Sequence, residues 1–510
     1  MLHDMANGQL VLSRDHVGSV PLYYCFGDKY VYFSDSIVAL KPYTRKGLNN
    51  HWVHNLLVQG QSHAAETQFN GIKAVRPAHY VTLSHAGEVL RKYWDISDPD
   101  PSLKHEGTEQ QAVTKFRQLL NQAIICRMEG YVDFGCELSG GLDSGSVYSL
   151  LHSHLGETQT ITSLSNILNP SKHGKIRPYT DEKGIIGLLH NRYPPSLAVF
   201  VDDQGQGLMH ILGQQIELNG YVPQQNFSTA SDLLYQKLTQ HNIKILFSGF
   251  GGDEVVSSHG NGWVAENVAT NQRLAWELLR CNNSTAATAF KFSRAYVKRK
   301  WPGLYLMLGS RLYQQIKSYL EFRHVPVKNG YARRHKLFNL YATSMFTSAG
   351  SMANYQSGIF NHPHIQHRLE IGYAYGLTHG FKYAYPLLDR RLISFYYHLP
   401  PEYKIKSMLG RNVMRETMKG ILPEEIRMRN VKTGATVPSV YTRLQNDCTN
   451  LEAYVKNCQQ RGVAKDIIDY RKLWKWVKEI SHNSSARLRP AIFLNYISLL
   501  IYLDQFHEQN

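Results

Sequence analysis

The chain has 510 residues, 43% of them apolar and 19% charged, a balance that excludes a largely disordered protein and indicates two or more folded domains. Its six cysteines lie far apart and form no C-x-x-C pair, so neither a disulfide framework nor a zinc site is indicated and a reducing, cytoplasmic setting is expected. The N-terminus lacks a signal-peptide pattern, and the most apolar run, residues 491–503, is too short to span a bilayer. We therefore expect no membrane partner and interpret that run as a packed terminal helix.

The formal net charge of +16 allows long-range attraction of an acidic partner. Positive residues concentrate in KFSRAYVKRK at residues 291–300 and in RRHK at residues 333–336. Solvated helix faces commonly have the same composition, and that is our first interpretation of both runs. The functional alternative is docking of an acidic or polyanionic substrate. Because no RNA-binding motif is present, we expect no specific nucleic acid partner.

The first predicted elements are short strands. Residues 8–94 contain apolar runs separated by turns, which is typical of a mostly β unit. Residues 95–106 are rich in Asp, Pro and Ser and are typical of a linker. We therefore predict a first domain at residues 1–98 and a second at residues 107–510. The apolar runs are residues 9–12, 21–26, 30–33 and 80–83.

Helices and strands alternate from Thr108 onward. Thr108 and Gln111 have the spacing of a capping box, and an apolar helix face follows them. The alternation predicts an α/β fold with a doubly wound, mainly parallel sheet and a ligand at the carboxyl ends of its strands. Beyond about residue 262 the chain is predicted to be mainly helical, with a helical insertion at about residues 262–345. The predicted strands are residues 131–138, 160–165, 197–201 and 243–247.

Two glycine turns each follow an apolar, strand-like run: SGGLDS at residues 139–144 and SGFGGDE at residues 248–254. A junction of strand, glycine turn and helix directs backbone N–H groups and a helix dipole at one point, which suits a phosphate. If the two strands are parallel neighbours, Asp143 and Asp253 lie on either side of a pyrophosphate and could share Mg2+. The pair therefore predicts a synthetase that uses ATP and Mg2+.

These motifs resemble the pyrophosphate loop and the second nucleotide motif of the asparagine synthetase family. The segment LSRDHVGSVPLYY, residues 12–24, is similar to the back half of that family's glutaminase domain. The resemblance implies an N-terminal, degenerate Ntn-hydrolase-like, β-rich domain. It also implies a PP-loop ATP pyrophosphatase domain with a large helical C-terminal part. Further similar segments are YPLLDRRL at 385–392, LPPE at 399–402, GRNVMR at 410–415 and RMRNVK at 427–432.

The family's glutaminase uses an N-terminal cysteine as its nucleophile, and this sequence has none at position 2. Without a nucleophile that chemistry is not available, so we expect residues 1–98 to be a truncated, inactive scaffold. A misassigned start is the alternative. In that case the protein would be an asparagine synthetase with a complete glutamine-hydrolysing domain.

The resemblance implies roles for individual residues. Lys432 would steady the negative charge that develops on the intermediate and phosphates, and Arg411 would contact phosphate. Asp143 and Asp253 would hold Mg2+, while Leu164 and Ser165 would lie near the adenine. For Arg429, pairing with a helix carboxylate is an equally good explanation. The residues expected to contact ATP are Leu138, Ser139, Gly140, Gly141, Asp143, Ser144, Leu164, Ser165, Ser248, Gly249 and Gly251.

Phe250 is a departure from the family pattern, because asparagine synthetases have a glutamate at this position and the β-lactam-forming relative has a tyrosine. Phenylalanine cannot accept a proton, so the attacking amine must be deprotonated elsewhere or arrive neutral. Glu370 is a candidate base, although it could equally be a carboxylate on a helix surface. The histidines at 362, 364 and 367 lack an accompanying acidic group, so we expect no metal there.

Three features together are most similar to the lasso-peptide cyclases. They are the missing glutaminase nucleophile, Phe250 in place of the base, and the C-terminal segments at residues 385–392, 399–402, 410–415 and 427–432. That resemblance implies that an Asp or Glu side chain of a precursor peptide is activated as an acyl-adenylate. The peptide's own N-terminal amine then closes a macrolactam and AMP leaves. An internal amine needs no ammonia channel, because proximity replaces concentration. The resemblance also suggests a leader peptidase as partner.

Three alternatives remain open. An asparagine synthetase using ammonia or glutamine is the nearest, and formation of asparagine would identify it. A tRNA-modifying ATP pyrophosphatase explains the first glycine turn and the positive charge, but not the second turn. A catalytically inactive scaffold would be excluded by turnover of ATP to AMP.

Overall fold

The computed structural model describes most of the chain, and the account below concerns those residues. Among the helices within them, none is both long and apolar enough to cross a membrane. The described ranges are 2–4, 8–44, 47–59, 66–155, 159–167, 182–202, 207–222, 225–257, 262–280, 283–301, 322–338, 351–406, 409–430, 436–481 and 490–507.

The N-terminal unit contains two antiparallel sheets. One has the strand order β1-β2-β6-β7 and the other β4-β3-β5. Leu12, Val81 and Leu83 of the first sheet pack with Tyr24 and Val75 of the second in one buried cluster. The elements are β1 Leu2–Asp4, β2 Gln9–Ser13, β3 Tyr23–Phe26, β4 Val31–Ser34, α1 Ile37–Leu40, α2 Asn50–Gln59, β5 Ile72–Ala74, β6 His79–Ser84 and β7 Gly87–Lys92.

A five-stranded, all-parallel sheet forms the centre of the remaining chain. Its strands are β8 Asp133–Glu137, β9 Thr160–Asn166, β10 Leu197–Val201, β11 Ile245–Phe247 and β12 Lys382–Ala384. Their order is β10-β9-β8-β11-β12, so the chain adds strands outward from β8 on one side and then from β11 on the other. In such sheets a ligand binds where the strand order reverses, which is between β8 and β11.

Helices cover both faces of this sheet. On β11, Ile245 and Phe247 point into one buried cluster and Leu246 into another, as alternation along a strand requires. The helices from the linker to the second glycine turn are α3 Glu109–Met128, α4 Leu142–His154, α5 Lys183–Arg192, α6 Met209–Asn219 and α7 Gln225–Gln240.

The rest of the described chain is helical apart from β12 and isolated bridges. A short π turn, Gly252–Val256, follows β11. The helices are α8 Trp263–Thr270, α9 Gln272–Arg280, α10 Thr285–Lys300, α11 Asn329–Arg334, α12 Met352–Phe360, α13 Pro363–His379, α14 Arg390–His398, α15 Pro401–Lys404, α16 Asn412–Thr417, α17 Glu424–Arg427, α18 Thr436–Asn446, α19 Cys448–Arg461, α20 Tyr470–Ser481 and α21 Pro490–His507.

The two halves of the chain share a hydrophobic core. Trp52 of α2 packs on Tyr502 of α21, with ring centroids 5.6 Å apart, and the Tyr496 hydroxyl donates to the carbonyl of Leu57. The largest buried cluster combines residues of α2, α6, α19 and α21. The N-terminal unit is therefore packed on the C-terminal helices and not attached only through its linker.

Several sequence predictions are confirmed. The capping box closes as expected, with Gln111 N–H donating to Thr108 Oγ1 and Thr108 N–H donating to Gln111 Oε1 at 2.8 Å. The four predicted α/β strands are present with shifted ends, and residues 491–503 lie in α21. The mixed α/β class and the parallel sheet are as predicted.

Helix α2 and strand β12 are among the elements that were not predicted. Helix α2 lies in a unit predicted to be mostly β, although Trp52, Val53, Leu56 and Leu57 are buried at helical spacing. Strand β12 lies in a region predicted to be mainly helical. It has only three residues, too few to show a period, and it exists because Tyr383 and its neighbours pair with β11.

Lys404 is buried at the end of α15, with 2% of its surface exposed. Its Nζ donates to Gln356 Oε1 at 3.1 Å and to the carbonyl of Tyr397 at 2.9 Å. Burial lowers the pKa of Lys404 to about 7 from an ordinary 10.5. Above about pH 7, Lys404 is therefore mainly neutral in the folded protein.

We expect this lysine to make stability depend on pH. Between about pH 7 and 10.5 the unfolded chain binds the proton and the folded chain does not, so the free energy of unfolding should rise with pH, by up to about 1.4 kcal/mol per unit. Urea denaturation of Lys404→Met should show a flatter profile. The exposed Lys406→Met is the control and should keep the wild-type slope. Equal slopes in all three proteins would contradict the prediction.

Candidate active site

The first glycine turn joins β8 to α4. Gly141 is the N-cap of α4 and has no side chain to cap it, so the first N–H groups of this helix are not bound by their own N-cap. The Ser139 and Ser144 hydroxyls lie 2.8 Å apart across the turn, and Ser139 N–H donates to Ser144 Oγ at 3.2 Å. An uncapped helix N-terminus with neighbouring hydroxyls can bind an anion such as a phosphate.

The second glycine turn follows β11 and lies against the first. A Cβ on Gly249 would come 2.5 Å from the backbone nitrogen of Ser144, so only glycine permits this approach. Gly251 has φ +100°, in the left-handed region that glycine adopts without strain, and its N–H donates to Glu254 Oε2 at 3.0 Å. The two turns therefore form one surface at the place where the strand order reverses.

Asp143 and Asp253 meet at one guanidinium. Arg411 Nη1 lies 3.4 Å from Asp143 Oδ2, and Arg411 Nη2 contacts Asp253 Oδ1. Ser257 Oγ donates to the other oxygen of Asp143, Oδ1, at 2.6 Å. A Cβ on Gly252 would come 2.2 Å from Asp143 Cγ, so this glycine lets the second turn close over the carboxylate. Two acidic side chains that are distant in sequence thus converge at one point.

The convergence of these carboxylates fits a cation. Two carboxylates carry one more charge than Arg411 neutralises, and carboxylate oxygens are the ligands that Mg2+ prefers. Within the described ranges, no group of three or more histidine, cysteine, aspartate and glutamate side chains is arranged to hold a metal ion. A cation here would therefore need further oxygen ligands, which a bound phosphate supplies. Arg411 itself has φ +65°, a strained value typical of functional sites.

Glu137 links the two turns from the end of β8. Ser248 Oγ donates to Glu137 Oε2 at 2.6 Å, Arg368 Nη2 lies 3.2 Å from the same oxygen, and the Tyr383 hydroxyl donates to Oε1. Burial, followed by the charge of Glu137, raises the pKa of Tyr383 well above 10.0, so this hydroxyl stays protonated as a donor. The contact fixes Ser248, and with it the start of the second turn.

Phe250 packs against Arg368, the arginine that pairs with Glu137. Its ring centroid lies 5.4 Å from Arg368 Cζ and 6.0 Å from the ring centroid of Tyr385. The position between Gly249 and Gly251 therefore contributes an aromatic surface and no proton acceptor. The structure thus agrees with the sequence analysis, in which Phe250 replaces the glutamate of the asparagine synthetases.

Leu138, Leu164 and Ser165 lie together at the carboxyl ends of β8 and β9. Leu138 N–H donates to the carbonyl of Leu164 at 2.8 Å, and all three side chains are buried. Ser165 Oγ has no hydrogen-bond partner in the described part of the chain. A buried hydroxyl of this kind is available to a ligand at the edge of the sheet. Contact with adenine stays a prediction.

Glu370 lies in a buried ion pair between the two halves of the chain. Its Oε1 accepts from Arg14 Nη2 at 2.9 Å and from Gln366 Nε2 at 2.8 Å, and its Oε2 accepts from the Tyr221 hydroxyl at 3.3 Å. The side chains of Arg14 and Glu370 are only 1% and 5% exposed. These contacts do not favour the predicted role as a base, because both carboxylate oxygens already accept hydrogen bonds from neighbouring side chains.

The remaining predicted residues have simple placements. Lys432 lies outside the described residues, so its role stays a prediction. Arg429 pairs with Glu182 at 2.9 Å, which is the structural explanation predicted as the alternative. His362 and His364 hydrogen-bond through their Nδ1 atoms at 2.8 Å, and burial lowers the pKa of both to about 4.

Sequence reasoning missed four side chains at this site: Glu137, Glu182, Ser257 and Arg368. A signal existed for Glu137, because a charged residue follows the uncharged run at residues 134–136 at the end of the strand, two positions before the glycine turn. Glu182 and Arg368 contact partners 42 and 231 residues away, so no local pattern could identify them.

The chain was compared with known proteins. A sequence model of the asparagine synthase family matches residues 115–499, and a model of a glutamine amidotransferase domain matches residues 1–94. Amidase chry2 of Gibberella zeae is 32% identical over 34% of this chain and 25% of its own length. The glutamine-hydrolyzing asparagine synthetase 3 of Bacillus subtilis is 21% identical over 84% of this chain and 65% of its own length. The glutamine-hydrolyzing asparagine synthetase of Zea mays is 23% identical over 51% of this chain and 39% of its own length.

The matches thus span less than two thirds of these relatives, while the family model covers well over half of this chain. The matched residues include both glycine turns and Arg411. The chain therefore belongs to the asparagine synthase family.

Proposed function

We propose that the protein is an ATP-dependent ligase that forms a carbon–nitrogen bond by activating a carboxylate as an acyl-adenylate. The observation that carries the proposal is the convergence of Asp143 and Asp253 on Arg411, beside an uncapped helix N-terminus. Family membership supports it. In the first step a carboxylate oxygen attacks the α-phosphorus of ATP and pyrophosphate leaves. In the second step an amine attacks the acyl carbon and loses a proton, and AMP leaves.

The chain's own residues suit these steps. The N–H groups at the start of α4, with Ser139 and Ser144, would bind the phosphates, and Arg411 would neutralise part of their charge. Asp143 and Asp253 would hold Mg2+, which supplies further charge neutralisation to the departing pyrophosphate. Leu138, Leu164 and Ser165 would face the base of the nucleotide.

For the acceptor we propose a peptide that is closed into a macrolactam. Phe250 supports this choice, because the position offers an apolar ring next to Arg368 and no base for an external amine. An amine in the same molecule is held close to the acyl carbon, so proximity favours the reaction and no ammonia channel is needed. The partner we propose is a leader peptidase, because the resemblance to the lasso-peptide cyclases suggests one.

A basic helix is available for the peptide. Helix α10 has no acidic residue, and Lys291, Arg299 and Lys300 are exposed together with Phe290 and Trp301. A peptide with acidic and apolar residues would complement this face. Docking there is part of the proposal and predicts binding that weakens as salt rises.

Asparagine synthesis is the second candidate. It is supported by the Bacillus subtilis relative, which is named an asparagine synthetase and aligns with 84% of this chain. An amidase name, as borne by the Gibberella zeae relative, concerns a much shorter aligned segment.

One assay separates the candidates. The purified protein is incubated with ATP and Mg2+ and with a short precursor peptide, with aspartate plus ammonia, or with tRNA, and products are measured by mass spectrometry. AMP formation with loss of one water from the peptide supports the macrolactam proposal, whereas asparagine supports the second candidate. RNA-dependent AMP release would favour a tRNA-modifying enzyme. Absence of AMP under all conditions would contradict the ligase proposal and leave an inactive scaffold.

A further inference from the structure

Gly140, the first glycine of the SGGLDS turn, is held from both sides by a second ion pair. Its N–H donates to Glu182 Oε2 at 3.2 Å, and its carbonyl accepts from Arg429 Nη1 at 2.8 Å. The same Arg429 nitrogen lies 2.9 Å from Glu182 Oε1, which closes the ring of contacts. Glu182 is 7% exposed. Gly140 is thus bound by two charged side chains at both its N–H and its carbonyl, which belong to two successive peptide units.

The fit is close enough to require glycine. A Cβ on Gly140 would come 2.6 Å from Arg429 Nη1 and 2.9 Å from Ile185 Cγ2. A side chain at this position would displace the Arg429 guanidinium and the Ile185 side chain. Gly140 is buried, whereas Ser139 is exposed and Gly141 and Ser144 are partly exposed. The bound N–H and carbonyl of Gly140 therefore face inward, and the adjoining donors face the surface of the turn.

This arrangement has a clear electrostatic logic. A lone carboxylate next to a phosphate site would repel the phosphate, but Arg429 neutralises Glu182, so the pair adds no net charge. Hydrogen bonds to charged groups are among the stronger ones in proteins, and two of them act here on the peptide units on either side of the Gly140 Cα. The orientation of these two peptide units in turn fixes where the N–H groups that follow them point.

We propose that Glu182 and Arg429 are positioning residues that hold the turn in the conformation that binds the phosphates of ATP. The inference rests on the proposed use of ATP and extends it to two residues that need not touch the nucleotide. It predicts that removing either charge loosens the turn and weakens nucleotide binding before any amide is formed.

The test measures ATP affinity by calorimetry with Mg2+ present and no acceptor substrate. Glu182→Gln and Arg429→Gln should each raise the dissociation constant for ATP by about tenfold or more. The double variant should be no weaker than the weaker single variant, because the two side chains act as a unit. Arg429→Lys keeps the charge but not the planar fork and should be intermediate.

Glu424→Gln is the matched control, since it makes the same change in an ion pair with Arg427 in which the carboxylate is exposed. It should leave ATP affinity unchanged. Wild-type affinity in Glu182→Gln and Arg429→Gln with a lowered melting temperature would overturn the inference, because the pair would then only stabilise the fold. Tighter binding would overturn it as well, since Glu182 would then compete with phosphate. If the wild-type protein itself does not bind ATP, the proposed function fails instead.

Discussion

Asp143→Asn is expected to lower the rate of ATP conversion to AMP by at least about a thousandfold. The substitution keeps the shape of the side chain and its bond with Ser257 but removes one of the two charges that would hold Mg2+ beside the phosphates. Conversion is measured by chromatography of adenine nucleotides with saturating ATP and each acceptor mixture in turn. The Mg2+ dependence of ATP binding should weaken in parallel.

Asp133→Asn provides the matched control. Asp133 begins β8, the strand whose far end leads to Asp143, and it accepts a hydrogen bond from Thr160 Oγ1 at an exposed position. Its activity should equal that of the wild-type protein. Activity within about tenfold of wild type in Asp143→Asn would show that the chemistry lies elsewhere.

Arg14→Met is expected to destabilise the protein by about 3–5 kcal/mol, because it leaves the buried carboxylate of Glu370 without its charge partner. Arg14 also donates to the carbonyls of Gly18, Val20 and Val75, so these acceptors lose a donor too. The free energy of unfolding is measured by urea denaturation. The double variant Arg14→Met/Glu370→Gln should recover part of the loss, since it leaves no uncompensated charge. A double variant as unstable as the sum of the singles would contradict coupling.

The single variant Glu370→Gln tests the role of this residue. A general base contributes about a hundredfold or more to rate, so a base at this position would show a loss of that size. We expect a loss of less than about tenfold, because Glu370 already accepts hydrogen bonds from Arg14, Gln366 and Tyr221. A larger loss with unchanged stability would restore the prediction that it is a base.

Much of the fold could be predicted because its signals are local. The capping box at Thr108, the alternation of helices and strands, and the glycine turns depend on residues only a few positions apart. By contrast, β12 has three residues and takes its form from β11, so nothing near Tyr383 marks it as a strand.

The amino-acid sequence by itself determined which residues could bind phosphate and a cation, and that they would lie at the ends of parallel strands. Only the tertiary structure decided which distant side chains complete the site: Arg411 between the carboxylates, Glu137 on Ser248, and Glu182 with Arg429 on Gly140. It also shows that Glu370, a candidate base in the sequence analysis, forms an ion pair with Arg14. The physical reason is the separation in sequence between the interacting residues. Periodicity, caps and turns arise from neighbours in the chain, whereas ion pairs arise from packing that brings together residues hundreds of positions apart.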